Sequence, residues 1–141
     1  IPYIDMGMDV IQHGQHYQIA GQVVLTSPGG PCLRCLNVIR PADLAREHEN
    51  YGAAGSKPQV VWPNGVLAST AIGLFMQLIT PWHANVKLTQ YLEYDGNEHT
   101  VKPSQRLHAL RFDACPHHPT DGVGDFRFDI RNGPPLAPLT T

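Results

Sequence analysis

The chain has 141 residues, a formal net charge of −2, and charged side chains at only 16% of its positions. That length supports one domain with a modest core, and the slightly acidic balance argues against a nucleic-acid or membrane-surface protein, whose footprint is a basic patch. A charged fraction well under the roughly 25% of average soluble domains predicts that the chain hides more surface than its own core requires, against a partner subunit or a stretch of polypeptide outside this sequence.

The first eight residues are apolar and β-prone and read as a buried strand. The opening Ile-Pro-Tyr reads as the inside of that strand, so a fragment of a longer protein is the expectation. A polar turn over 12–18, with Gly14 in it, leads to a second strand over 19–26. Ser27-Pro28-Gly29-Gly30-Pro31 stops that strand. Pro41 opens a short helix over 41–47, with proline at the position where a missing N–H costs nothing. Residues 50–63 are rich in Gly, Ala and Pro without a period and read as a long loop. Asn64 is the expected N-cap of a helix over 65–78, apolar or small on nearly every side and so predicted to be buried all round. Its apolar run, 66–79, is too short and too interrupted to span a bilayer, which takes about 20 apolar residues. A strand is expected over 88–94, a hairpin turn at Asp95-Gly96-Asn97, a return over 98–101, and a further strand over 107–112. A short β-prone run, 126–130, precedes an extended Pro-rich tail from Gly133.

The chemistry-bearing residues are the cysteines. Cys32 and Cys35 form a Cys-x-x-Cys pair, and Cys115 and His118 a Cys-x-x-His pair. A two-residue gap lets both side chains of a tight turn face one ion, and two such knuckles supply the four ligands of a closed structural zinc site. The competing reading is a Cys32–Cys35 redox disulfide with an inert thiol at Cys115. Zinc is favoured because both pairs share one spacing and sit in turn-rich loops. His117 competes with its neighbour; His118 is preferred because it repeats the gap of the first pair. With all 3 cysteines used as ligands, none remains as a nucleophile, and four protein ligands leave no position open for metal-assisted hydrolysis. Paired thiols that hold metal fit a reducing cytoplasm. Arg34, inside the first knuckle, could offset the negative charge of three thiolates around one zinc, or simply face solvent. Asp5 and Asp9, four apart on a strand, share one face. The remaining histidines carry no assigned role; Met6, Met8 and Met76 are expected to be packing residues, and Trp62 and Trp82 packing anchors at the two ends of the buried helix.

The order of these features resembles the C-terminal half of the ThiF/MoeB/HesA family, bacterial relatives of ubiquitin-activating enzymes, over about residues 1–118. Three stretches carry the likeness: Ala20-Gly21-Gln22-Val23, Pro28-Gly29-Gly30-Pro31-Cys32-Leu33-Arg34-Cys35-Leu36, and Asn64-Gly65-Val66-Leu67-Ala68-Ser69. The family's zinc is held by two Cys-x-x-Cys pairs at these places, and His118 stands here for the last cysteine. The resemblance implies an α/β fold: a partial Rossmann-like domain over 1–132 with a mixed sheet, a buried helix and a zinc-knuckle pair at 32–35 and 115–118, followed by a tail over 133–141. It implies an adenylyltransferase that uses ATP and magnesium to activate the C-terminal glycine of a ubiquitin-like or sulfur-carrier protein, acting as a homodimer. In the family the nucleotide-binding residues lie in the N-terminal half. This chain has no Gly-x-Gly-x-x-Gly after a strand, so ATP and magnesium belong to the parent protein only, the chain alone is expected to be inactive, and no catalytic residue is assigned. Several members carry a cysteine in the loop that crosses the acyl-adenylate. The corresponding 50–63 stretch has Tyr51, Ser56 and Lys57 but no cysteine. Asp5 and Asp9 could be read as a magnesium site, but the family's acidic metal ligand lies upstream; Asp5 is read instead as a strand-end residue that, in the resemblance, lines the channel where the carrier protein's tail enters. The alternative is a stand-alone, zinc-stabilised protein-binding module without catalysis.

Overall fold

A four-stranded antiparallel sheet, its strands side by side in sequence order, organises the chain. The computed structural model describes residues 1–49 and 60–117. Strands β1 (Tyr3–His13) and β2 (His16–Thr26) form a long hairpin, closed by a two-residue loop in which Gly14 has φ 62°. A positive φ at the first loop position matches the twist of the flanking strands and comes most easily to glycine. The turn is therefore tighter, and both strands longer, than the polar 12–18 stretch suggested.

Helix α1 (Pro41–Glu49) begins at the proline, as expected. Helix α2 (Val61–Ile79) starts earlier than Asn64. Val60 is the extended N-cap residue, with no side-chain cap, and Pro63 falls in the first turn, where its missing N–H would have had no intrahelical partner. Residues 61–63 of the expected loop thus belong to the helix and Val60 is its N-cap; 50–59 lie outside the described residues. Strands β3 (Gln90–Asp95) and β4 (Thr100–Pro103) flank the expected turn. Asp95 Oδ1 accepts from the Asn97 and Glu98 N–H groups at 3.0 and 3.1 Å. The Asn97 side chain then staples the turn to β2: Oδ1 accepts from Ile19 N at 2.9 Å and Nδ2 donates to Tyr17 O at 3.0 Å.

Two expectations are corrected here. The sheet is antiparallel throughout the described residues rather than mixed. The long connection from β2 through α2 can return a strand in either direction, and it returns β3 against β2. The stretch 107–112 is not a strand; helix α3 (Gln105–Ala109) occupies its start, because Ser104 Oγ accepts from Arg106 N at 3.1 Å and caps a helical turn. The β-prone 126–130 run and the tail lie outside the described residues.

Each face of the sheet is covered differently. On one, Val23, Leu25 and Tyr94 pack against Leu67, Leu74 and Leu78 of α2. On the other, Val24 and Tyr91 pack under Leu36, flanked by Leu33, Val38, Leu107 and Leu110. The second cover is therefore made of the segment after β2 and the segment beginning with α3, which are also the two that carry the cysteines. Helix α2 is buried along one stripe only, contrary to the expectation of burial all round: Ile72, Phe75, Met76 and Ile79 are exposed.

Candidate metal centre

Residues 32–36 make a single helical turn, with Leu36 N donating to Cys32 O at 3.0 Å. Asn37 ends it in the left-handed region, φ 57°. Val38 N then donates to Leu33 O at 2.8 Å and Asn37 N to Arg34 O at 3.0 Å, the paired bonds of a Schellman cap, with Val38 and Leu33 both seated in the Val24–Tyr91 cluster. The turn is amphipathic in miniature. Leu33 and Leu36 anchor it on the sheet, while Cys32 and Cys35, also three apart, converge on a different point.

The second half of the site hangs from α3. Ser104 is 1% exposed, and its Oγ donates to Glu93 Oε1 at 2.8 Å as well as capping the helix. Its N–H donates to Tyr91 O at 2.8 Å. Arg106 lies over the Tyr91 ring, 5.7 Å from its centroid, and donates to the Tyr91 hydroxyl at 3.2 Å; that hydroxyl donates to Gln22 Oε1 at 2.7 Å. This network fixes α3 on β3 and delivers Cys115 and His117 to the first knuckle.

Cys32 Sγ and Cys35 Sγ are 3.7 Å apart, and Cys35 Sγ and Cys115 Sγ 3.6 Å apart. His117 Nδ1 lies 3.5 Å from Cys32 Sγ and 3.4 Å from Cys35 Sγ. All four ligand atoms fall within 4.8 Å of one another. A tetrahedral zinc with Zn–S of about 2.3 Å and Zn–N of about 2.0–2.1 Å has S···S edges of about 3.8 Å and S···N edges of about 3.6 Å. The Cys32–Cys35, Cys35–Cys115, Cys32–His117 and Cys35–His117 separations lie within about 0.2 Å of those edges. The sulfur–sulfur separations are far longer than the about 2.05 Å of a disulfide, and the three cysteines are not disulfide-bonded. Burial, with the two neighbouring thiols, pushes the Cys35 thiol up to about 11, so a cation is what would draw off its proton. The donor set of three sulfurs and one imidazole suits zinc and closes its coordination.

The cluster therefore unites Cys32, Cys35 and Cys115, three of the four residues read as ligands, and its fourth member is His117. His118 lies outside the described residues. Nothing in the sequence separated the adjacent histidines except the repeated gap; the path of the chain beyond α3 is what brings His117 to the thiols. Arg34 is exposed. Asp5 and Asp9 lie on β1, with Asp5 opposite Val24 and Asp9 opposite Ala20, and neither joins a metal-ligand group. Among the described residues no helix is long and apolar enough to cross a membrane. Comparison with protein-family models, with curated proteins and with solved structures found no match.

Proposed function

We propose that this chain is the zinc-bearing, partner-docking part of an ATP-dependent enzyme that adenylates the C-terminus of a ubiquitin-like or sulfur-carrier protein. The observation that carries the reading is the Pro28–Leu36 stretch. It folds as a turn that presents both of its cysteines to Cys115 and His117 at zinc-ligand spacing. The zinc is structural, since four protein ligands leave no open position, and it clamps the segment after β2 to the segment after α3. Those two segments cover the Val24–Tyr91 face, so the metal holds that side of the sheet in shape for a partner.

In this reading the domain is the C-terminal part of a Rossmann-like fold, and the nucleotide is held by a half that this sequence does not contain. Gly29 and Gly30 do not cradle phosphate: Gly30 N donates to Ser27 O at 3.0 Å within a tight turn that feeds the knuckle. Adenylation joins the carrier's terminal carboxylate to the α-phosphorus of ATP and releases pyrophosphate. The test is ATP–pyrophosphate exchange by the protein as its gene encodes it, with a ubiquitin-like protein ending in glycine. Exchange that depends on the carrier supports the proposal. A zinc-loaded, folded protein that binds such a carrier without exchange would instead be the non-catalytic module.

A further inference from the structure

The tip of the β1–β2 hairpin brings together two histidines that lie outside the cysteine centre. His13 ends β1 and His16 begins β2, and the register sets them directly opposite one another. Along the chain they are two of 8 scattered histidines. The two-residue loop Gly14-Gln15 turns them into a cross-strand pair. Directly opposed residues of an antiparallel ladder put their side chains on the same face, with Cβ atoms about 4.5–5.5 Å apart. Two imidazoles rooted at that spacing can converge, by χ1 and χ2 rotation alone, to the roughly 3 Å that separates cis nitrogens around one late transition ion with bonds of about 2.0–2.1 Å.

The pair is held as well as adjacent. Gly14, φ 62°, supplies the positive φ of the turn, and Gln12 Nε2 donates to Gly14 O at 3.0 Å beside it. Just past His16, the Asn97 side chain grips β2 from the neighbouring turn, donating to Tyr17 O and accepting from Ile19 N. An ion arriving at the histidines therefore does not have to order the backbone that carries them. The ladder between β2 and β3 ends at Ala20, so His13 and His16 lie beyond the end of the third strand, and both are exposed. An ion held by the two imidazoles keeps its other positions open to water. The cysteine centre is the opposite case, since four protein ligands close its coordination. The donor type differs too: imidazole nitrogen without thiolate suits Ni(II), Cu(II) or Zn(II), and not the oxygen-seeking calcium and magnesium.

We propose that His13 and His16 form a second metal site, an open and reversible two-imidazole chelate for a divalent late transition ion. The ion joins β1 to β2 at their closing pair, so it binds the paired strands and stabilises them by mass action. The site depends neither on adenylation nor on the zinc at the cysteine cluster, and its test can fail while that reading stands.

The experiment is calorimetric titration of Ni(II) into the untagged, zinc-loaded chain, with zinc content and circular dichroism measured before and after. Nickel is the probe because Cu(II) would oxidise the thiols of the cysteine centre. Uptake of one Ni(II) per chain is expected, with zinc retained and the thermal midpoint raised. His13→Asn and His16→Asn should each abolish both the uptake and the shift, since one imidazole alone cannot chelate. His83→Asn, at another exposed histidine, should abolish neither. A parent chain that takes up no Ni(II) while holding its zinc overturns the proposal. Uptake that survives either hairpin substitution also overturns it, because the ion must then sit on other residues. Uptake that expels the zinc does the same, because the ion then occupies the cysteine cluster.

Discussion

Gly21 of β2 sits directly beneath Leu67 of α2, close enough that a Cβ on the glycine would lie 2.8 Å from Leu67 Cδ1 and 3.0 Å from the Gly7 carbonyl oxygen. The helix can approach the sheet this closely only because that position has no side chain. Leu67, 2% exposed, then reaches the Val23–Tyr94 cluster. The leucine could yield a little, but the Gly7 carbonyl is backbone in the paired strand. Gly21→Ala is therefore an overpacking substitution, expected to cost about 1–3 kcal/mol. Urea unfolding of the two proteins measures it as a lower midpoint at unchanged slope. An unchanged midpoint would show that α2 does not rest on Gly21.

A metal-centre prediction concerns the fourth ligand. Zinc content of the chain purified without added metal is expected to be one ion per chain. Cys115→Ser and His117→Ala should each lose most of it and lower the thermal midpoint, since the ion ties the residue-32 turn to the end of α3. His118→Ala should keep its zinc. Loss of zinc in His118→Ala with retention in His117→Ala would reverse the assignment and restore the two-residue gap as the rule. The substitutions separate the neighbouring imidazoles without disturbing the thiols.

What could be read from the chain alone were the features whose chemistry is local. Gly14 and Asp95-Gly96-Asn97 announce their turns because few residues tolerate those conformations, and Pro41 marks the start of α1 for a similar reason. Cys32 and Cys35 declare themselves by type and spacing. The misread features depend on contacts far away in sequence. Helix α3 is only five residues long and would not hold alone; Ser104 anchors it by reaching back to Glu93 and Tyr91. Leu107 and Leu110 look like strand positions until the sheet beneath them, under Val24 and Tyr91, gives them a surface. The direction of β3 was undecidable because the connection from Thr26 to Gln90 is long enough to deliver either pairing. Helix α2 reads as buried all round because its residues are apolar on every side, and the described residues cover just one of those sides.

Asp5 supplies a pH-dependent prediction. It lies on β1 opposite Val24, on the face shared with Tyr91, and burial holds its carboxyl above the ordinary range. Burial likewise raises the Tyr91 hydroxyl, and the Asp5 charge is the smallest of the influences on it. A carboxyl whose folded value is raised binds its proton more tightly in the native state than in the unfolded chain. Stability therefore falls as pH climbs from the ordinary aspartate value of about 3.9 through the raised folded value, and is level above it. At neutral pH the ionised Asp5 is a net cost that Asp5→Asn removes, with nearly the same shape. The variant is expected to unfold at higher temperature than the parent at pH 7, and the difference should shrink toward zero as both are taken below the ordinary aspartate value. Comparing the two proteins at each pH cancels the loss of zinc that acid causes in both. A lower midpoint for Asp5→Asn at pH 7 would mean that the charged carboxylate is needed by the fold. A difference that stays constant with pH would mean that ionisation at this position does not couple to folding.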